Sequence, residues 1–115
     1  MYHRIFEPPE RLKGLVKNFF VIESLSGDLI PKEYQSMADG YPEIIIEYNG
    51  GFDEYKNKRV YLRAQHSNPK RLHLGNSLGL FGIRFYPHAI QQLFNTDADE
   101  IVNRVINLNQ IIRQD

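Results

Sequence analysis

Leu78-Gly79-Leu80-Phe81-Gly82-Ile83-Arg84-Phe85-Tyr86 decides the fold. Aromatic and branched apolar residues dominate it, a composition that suits a pleated, half-buried surface. It reads as the longest strand of the chain. Phe81, Ile83 and Phe85 form one face with Gly79, and Leu80, Gly82, Arg84 and Tyr86 form the other. Gly82 in mid-strand marks a bulge or a close approach by another group. Arg84 is the only ionised side chain in the run, and a buried guanidinium needs a carboxylate partner or an anionic ligand. Pro87 then opens a helix whose buried stripe is Ile90, Leu93 and Phe94.

Upstream, Pro42 can open a strand over Glu43–Tyr48, with Ile44, Ile46 and Tyr48 on one face and Glu43, Ile45 and Glu47 on the other. Glu43 and Glu47 are thus the natural partners of Arg84 within a sheet. Arg59–Gln65 alternates Val60, Leu62 and Ala64 with Arg59, Tyr61 and Arg63, and reads as a further strand. Shorter strand signals cover Phe19–Ser24, Glu33–Ala38 and Arg71–Leu74, the last ended by Gly75-Asn76. Turns are expected at Asp39-Gly40, Asn49-Gly50-Gly51 and Ser67-Asn68-Pro69, and a solvated polar loop over Phe52–Asn57. Leu12, Leu15, Val16 and Phe19 recur at helical spacing after Pro8-Pro9 and predict a short N-terminal helix, weakened by Gly14. Asp97-x-x-Glu100, ahead of Ile101, Val102 and Val105, has capping-box spacing, and Asn107-x-x-Gln110, ahead of Ile111 and Ile112, repeats the signal. The pattern is α+β: a sheet of six to eight mostly antiparallel strands, a short N-terminal helix and C-terminal helices.

The chain has 115 residues, 42% of them hydrophobic and 24% charged, which suits one globular domain over 1–115. It has no cysteine, so there is no disulfide framework and no thiolate chemistry. The formal net charge is zero, which argues against a domain whose main work is gripping nucleic acid. That zero divides into a net −5 over residues 1–55, +7 over 56–96 and −2 over 97–115. Either acidic strands meet basic ones across a sheet, or the basic middle forms a site for an anion.

Nothing in the sequence forms a catalytic constellation. Ser24, Ser26, Ser36, Ser67 and Ser77 lie in no nucleophile elbow, and no P-loop or dinucleotide fingerprint occurs. The histidines are His3, His66, His73 and His88; no two are spaced i, i+2, so no metal or other cofactor is expected. Tyr34, Tyr48, Tyr61, Phe81 and Phe85 fall on strands, where they either fill a core or line a ligand cavity. The stripe Leu108, Ile111 and Ile112 breaks off at Asp115 after about two turns, too short for a stable isolated helix. The expectation is a fragment of a longer protein.

Four pieces follow in one order: Glu7-Pro8-Pro9 with Leu12 and Val16; Phe19-Phe20-Val21-Ile22-Glu23; Asp39-Gly40-x-Pro42-Glu43-Ile44-Ile45; and Phe81-Gly82-Ile83-Arg84-Phe85-x-Pro87. Leu93-Phe94 and Val105-Ile106-Asn107-Leu108 close the series. This order resembles the N-terminal domain of AraC-type bacterial transcription regulators over nearly the whole chain. The sequence departs from that pattern at Phe20, Ala38, Ala64 and His88, so the resemblance reaches the fold and not the ligand. It implies a small cupin-like β-barrel or sandwich that senses an effector or dimerises in the cytoplasm, with DNA bound only by a C-terminal domain beyond Asp115. The alternative is a stand-alone cupin-like small-molecule-binding domain, with or without a metal. Candidate ligand-binding residues are Arg84, Glu43, Tyr48, Tyr61 and His66; the structural motif residues are Asp39, Gly40, Pro42, Gly82, Phe85 and Pro87. The partners implied are an unidentified small-molecule effector and a second copy of the chain, with no membrane.

Overall fold

Seven strands carry the structure, a computed structural model that describes residues 2–24, 33–36, 40–55, 58–64, 70–95 and 104–108. They are β1 (Tyr2–Phe6), β2 (Val16–Glu23), β3 (Glu33–Ser36), β4 (Glu43–Phe52), β5 (Val60–Arg63), β6 (Lys70–Phe85) and β7 (Val105–Asn107). The sheet order is β1-β2-β6-β4-β5-β7, and β3 pairs with the beginning of β6. All pairings are antiparallel.

β6 organises the rest. Its second half lies between β2 and β4, and its first residues pair with β3. Gly75-Asn76, expected to end the strand that begins at Arg71, instead lies inside this single strand of 16 residues. Between the pairs Gly50↔Leu78 and Phe52↔Leu74, β4 advances two residues while β6 covers four. The surplus is absorbed as a bulge in β6, so a glycine that looked like a turn is a bend. A second irregularity falls at Tyr48, between Glu47↔Leu80 and Asn49↔Gly79. There β4 carries the extra residue. β4 also runs through Asn49-Gly50-Gly51, where a turn was expected; Gly50 has φ +70°, which a glycine adopts without strain.

Two apolar clusters lie on opposite faces of the sheet. One joins Phe20, Ile22, Ile45, Phe52, Tyr55, Tyr61, Leu72, Leu74, Leu78 and Leu80. It lies on the face that carries Ile45, Tyr61 and Leu80. The other joins Val16, Ile44, Leu62, Ala64 and Phe85 to Ala89 and Ile90 of the helix α1 (Pro87–Phe94). Pro87 occupies the first turn of α1, and Asn95 closes it in the left-handed conformation at φ 54°. Both faces of mid-sheet are therefore covered, which is why β6 is apolar on both sides.

The N-terminal helix is corrected: only Glu10–Leu12 form one 3₁₀ turn, and Val16 and Phe19 belong to β2. Leu12 and Leu15 still pack on the helix-side cluster, so their apolar spacing reflects burial and not a helix. β1 had no sequence signal because four of its five residues are exposed. Phe52–Asn57 is not wholly solvated, since Phe52 and Tyr55 are in the core. Val105, expected in a helix, is in β7, where Tyr61, Leu62 and Arg63 supply its partners. β3 ends at Ser36. Asp39, the turn at Ser67–Pro69 and the helical signals at 97–103 and beyond Leu108 lie outside the described residues. No helix among the described residues is long and apolar enough to cross a membrane.

Candidate functional site

Pairing register puts a carboxylate and two guanidinium groups in one row on the face of Ile45 and Tyr61. Glu43 stands opposite Arg63 on one side and Arg84 on the other. β4 is the strand between β5 and β6, so a carboxylate here is flanked by both arginines without any loop having to position them. Arg63 Nη1 donates to Glu43 Oε1 at 3.1 Å. Arg84 Nε donates to Oε2 at 3.0 Å, and its Nη2 lies 2.9 Å from the same oxygen. Glu43 is 7% exposed, and the Arg63 and Arg84 side chains 12% and 22%. One buried carboxylate thus faces two guanidinium groups, leaving one positive charge in excess.

Arg63 is not satisfied by that pair. Its Nε and Nη2 are buried and have no hydrogen-bond partner among the described residues. These two nitrogens form one edge of the guanidinium plane, with parallel N–H groups that fit the two oxygens of a carboxylate.

The row below is apolar. Tyr61, Ile45, Gly82 and Phe20 follow one another across β5, β4, β6 and β2. A Cβ on Gly82 would overlap the Phe20 ring, so the glycine is what lets that ring lie against β6. The Arg84 guanidinium carbon sits 4.9 Å from the centre of the same ring, within cation–π range. Phe20 thereby supports the arginine row from beneath.

Residues of both rows line a cavity of about 50 Å³, together with His3, Ile22, Tyr34, Phe52, Leu72 and Leu80. Its charged groups cluster at the Glu43 end, and its walls are aliphatic and aromatic.

Glu47, two residues below Ile45 on the same face, is 6% exposed and has a different environment. It accepts a hydrogen bond from the Tyr61 hydroxyl at 2.6 Å. Burial pushes its carboxyl above the usual carboxylate range, against the Tyr61 hydroxyl, the Phe52 amide and the Arg59 charge, which favour the ionised form. Burial, then the neighbouring carboxylate, raises the Tyr61 phenol as well. Gly51 makes room here, because a Cβ at that position would strike the Glu47 carboxylate.

The expected site is brought together in part. Arg84, Glu43 and Tyr61 line the cavity. Tyr48 does not: at the β4 bulge it is 49% exposed and donates to Glu23 on the outside. His66 lies outside the described residues. Arg63 and Phe20 were not anticipated as site residues. The signal for Arg63 was its alternation with Tyr61, which puts it on the same face as a core tyrosine.

Residues 4–107 match a protein family described as a domain of unknown function, DUF6597. The chain belongs to that family. No curated protein and no solved structure matches the chain. The DUF6597 region contains the whole arginine row, Glu47 and nearly all of the cavity lining, and it ends with the last residue of β7. His3 alone among the lining residues precedes it.

Proposed function

We propose that this chain is the effector-sensing domain of an AraC-like transcription regulator, built as a cupin-like β-barrel and acting by binding, not catalysis. The interior cavity capped by the Arg63–Glu43–Arg84 row is the observation that carries the reading. A small domain with an apolar interior and a few convergent polar groups is suited to hold a small molecule. The order of the four motif segments, from Glu7-Pro8-Pro9 to Arg84-Phe85-x-Pro87, supports the regulator assignment. Work on DNA would place the protein in the cytoplasm, and a second copy of the chain would give the two-fold arrangement that paired DNA half-sites favour.

The row also lies on a route to the end of the domain. Arg63 pairs with Val105 of β7, and the Ala64 amide donates to the Arg104 carbonyl at 3.0 Å. Arg84 is followed by Phe85 in the helix-side cluster and by Pro87 at the start of α1. A ligand that reorients either arginine would act on β7 or α1, and so favour one placement of a following DNA-binding domain.

The test is promoter-fragment binding by the full-length gene product, with and without compounds that raise the melting temperature of this chain. A ligand-dependent change in affinity is expected. A full-length protein that binds no DNA, or whose affinity no stabilising compound alters, would overturn the assignment.

A further inference from the structure

We propose that β1 is an interface strand: its outer edge pairs antiparallel with β1 of a second copy of this chain, about a two-fold axis at Ile5. The proposal gives the second copy named above a place on the domain, and rests on the sensing assignment for its biological meaning. Three observations carry it. The first is the edge itself. β1 ends the sheet order, and among the described residues no strand lies beyond it. Exposed edges are usually blunted by lysine, proline, a bulge or shortness. β1 contains no lysine and no proline, and its five residues pair with β2 in unbroken register. Four of the five are exposed, Ile5 at 57% and Phe6 at 38%. The other end of the sheet differs, since β7 has three residues and all are half-buried.

The second is charge complementarity. Opposed residues of an antiparallel pair point to the same face, and faces alternate along a strand, so the two-fold axis must pass through a residue. An axis at Arg4 opposes two guanidinium groups, which is unfavourable. An axis at Phe6 brings Pro8, which has no N–H to donate, into the ladder. An axis at Tyr2 or His3 leaves most of the strand unpaired. An axis at Ile5 sets Ile5 against Ile5, Arg4 against Phe6, and His3 against Glu7, the residue after the strand. No like charges then face each other, and an imidazole meets a carboxylate.

The third is the arrangement of Arg4 and Phe6. The Arg4 guanidinium carbon lies 5.1 Å from the centre of the Phe6 ring of its own strand, and its Nη1 donates to the Tyr2 hydroxyl at 3.3 Å. The side chain is thus laid along β1 and not extended into solvent. Pairing at Ile5 adds Phe6 of the second copy, so that each guanidinium meets two rings. Phe6 also stands opposite Phe19, whose ring stacks on Phe81 at 5.8 Å. The two aromatic rows therefore become continuous across the axis, which removes exposed apolar surface from water in both copies.

Sedimentation and cysteine cross-linking of the 115-residue chain test this. The wild-type chain is expected to show a monomer–dimer equilibrium in the micromolar range. Ile5→Lys sets two ammonium groups together at the axis and should weaken the dimer at least tenfold. The chain has no cysteine, so a single introduced one reports position. Opposed residues have Cα atoms about 4.5–5.5 Å apart, within the reach of a disulfide. Under mild oxidation Ile5→Cys should give a linked dimer, and Arg4→Cys or Phe6→Cys alone should link at least tenfold more slowly. An equimolar mixture of those last two should link to each other. Should Ile5→Lys fail to fold, the cross-links decide. A chain that stays monomeric, a dimer untouched in a folded Ile5→Lys, or Arg4→Cys linking as fast as Ile5→Cys overturns the proposal. Growth beyond the dimer also overturns it, since a head-to-tail contact of β1 with another edge does not close. Loss of the interface leaves the ligand-dependent DNA-binding test of the sensing assignment standing. A β1-linked dimer whose full-length protein binds no DNA keeps the interface and removes the regulator assignment.

Discussion

Glu43 and Glu47 lie four residues apart on one face of one strand, equally buried, and the structure treats them in opposite ways. Glu43 is flanked by arginines at its register positions on both neighbouring strands. Glu47 receives a tyrosine hydroxyl and is pushed toward its neutral form by burial. The lesson is that the cross-strand row decides what partners a buried carboxylate finds: two guanidinium groups at Glu43, a tyrosine hydroxyl at Glu47. At the Glu43 end, the carboxylate is held between two guanidinium groups, and two Arg63 nitrogens have no hydrogen-bond partner among the described residues. At the Glu47 end, the same side chain is a polar filler beneath the core.

The largest effect should come from breaking the charged end. Glu43→Ala leaves the largely buried Arg63 and Arg84 without their shared carboxylate, and removal of one member of a buried ion network costs about 3–5 kcal/mol. Urea denaturation at neutral pH would measure it. A loss below about 1 kcal/mol would mean that the row is solvated and that the contrast with Glu47 is false. Gly82→Ala tests the support below the row. Its methyl group displaces the Phe20 ring from beneath Arg84, and overpacking of this kind costs about 1–3 kcal/mol. The damage should be confined to the Arg84 side, so Glu47 should titrate as in the wild type, by carboxyl-carbon NMR.

Tyr61→Phe works at the other end. It removes the hydroxyl that donates to Glu47 and leaves a buried carboxylate with one donor fewer, which costs about 1–3 kcal/mol. It should also raise the Glu47 carboxyl further. Glu47→Gln should be much milder, within about 1 kcal/mol at neutral pH, because an amide oxygen can still accept from Tyr61 and no charge is buried. Its signature is in the pH dependence. The folded-state value of Glu47 lies above its unfolded one, so its contribution is full below the unfolded value and is lost as pH rises through the folded one. Relative to Glu47→Gln, the wild type should lose stability as pH rises from about 4, the ordinary glutamate value, through the raised folded-state value. A flat difference across that window would make the two carboxylates equivalent after all.

Much of this contrast was legible in the sequence. Alternation in Glu43–Tyr48 and Leu78–Tyr86 placed Glu43, Glu47 and Arg84 on assigned faces, and the register then joined Glu43 to Arg84. Arg63 was legible too, since it alternates with Tyr61, but a lone arginine near a strand end reads first as a solvated charge. Other features could not be read because they depend on partners distant in the chain. Tyr48 is on the face of Ile44 and Ile46, where alternation already placed it, away from Glu43 and Ile45; only the extra residue in β4 at that point was unreadable, since a bulge has no composition of its own. Gly75-Asn76 looked like the end of a strand because glycine and asparagine are poor strand formers and favour turns and bends alike. Val105 has the apolar character that both a helix stripe and an edge strand require, and only the open side of β5 decides for the strand. Leu12, Leu15, Val16 and Phe19 satisfied helical spacing because a 3₁₀ turn followed by a strand can bury the same residues on one cluster.

The smallest effect is expected at a second tyrosine–glutamate pair, and it isolates burial as the variable. The Tyr48 hydroxyl donates to Glu23 as the Tyr61 hydroxyl donates to Glu47, but Tyr48 is half exposed and Tyr61 is fully buried. The hydrogen bond to Glu23, followed by burial and the Glu23 charge, pushes the Tyr48 phenol up to about 12. Glu23→Gln removes the charge and should return Tyr48 toward about 10, the ordinary value for tyrosine. Ultraviolet difference titration against the wild type should show one phenol moving. Folding stability should change by less than about 1 kcal/mol, since water replaces a partner lost at the surface. An unchanged Tyr48 titration in Glu23→Gln would mean that the outer pair is not formed in solution. The contrast between paired tyrosines would then collapse to burial alone, and the elevation at Tyr61 could no longer be divided between its carboxylate partner and its desolvation.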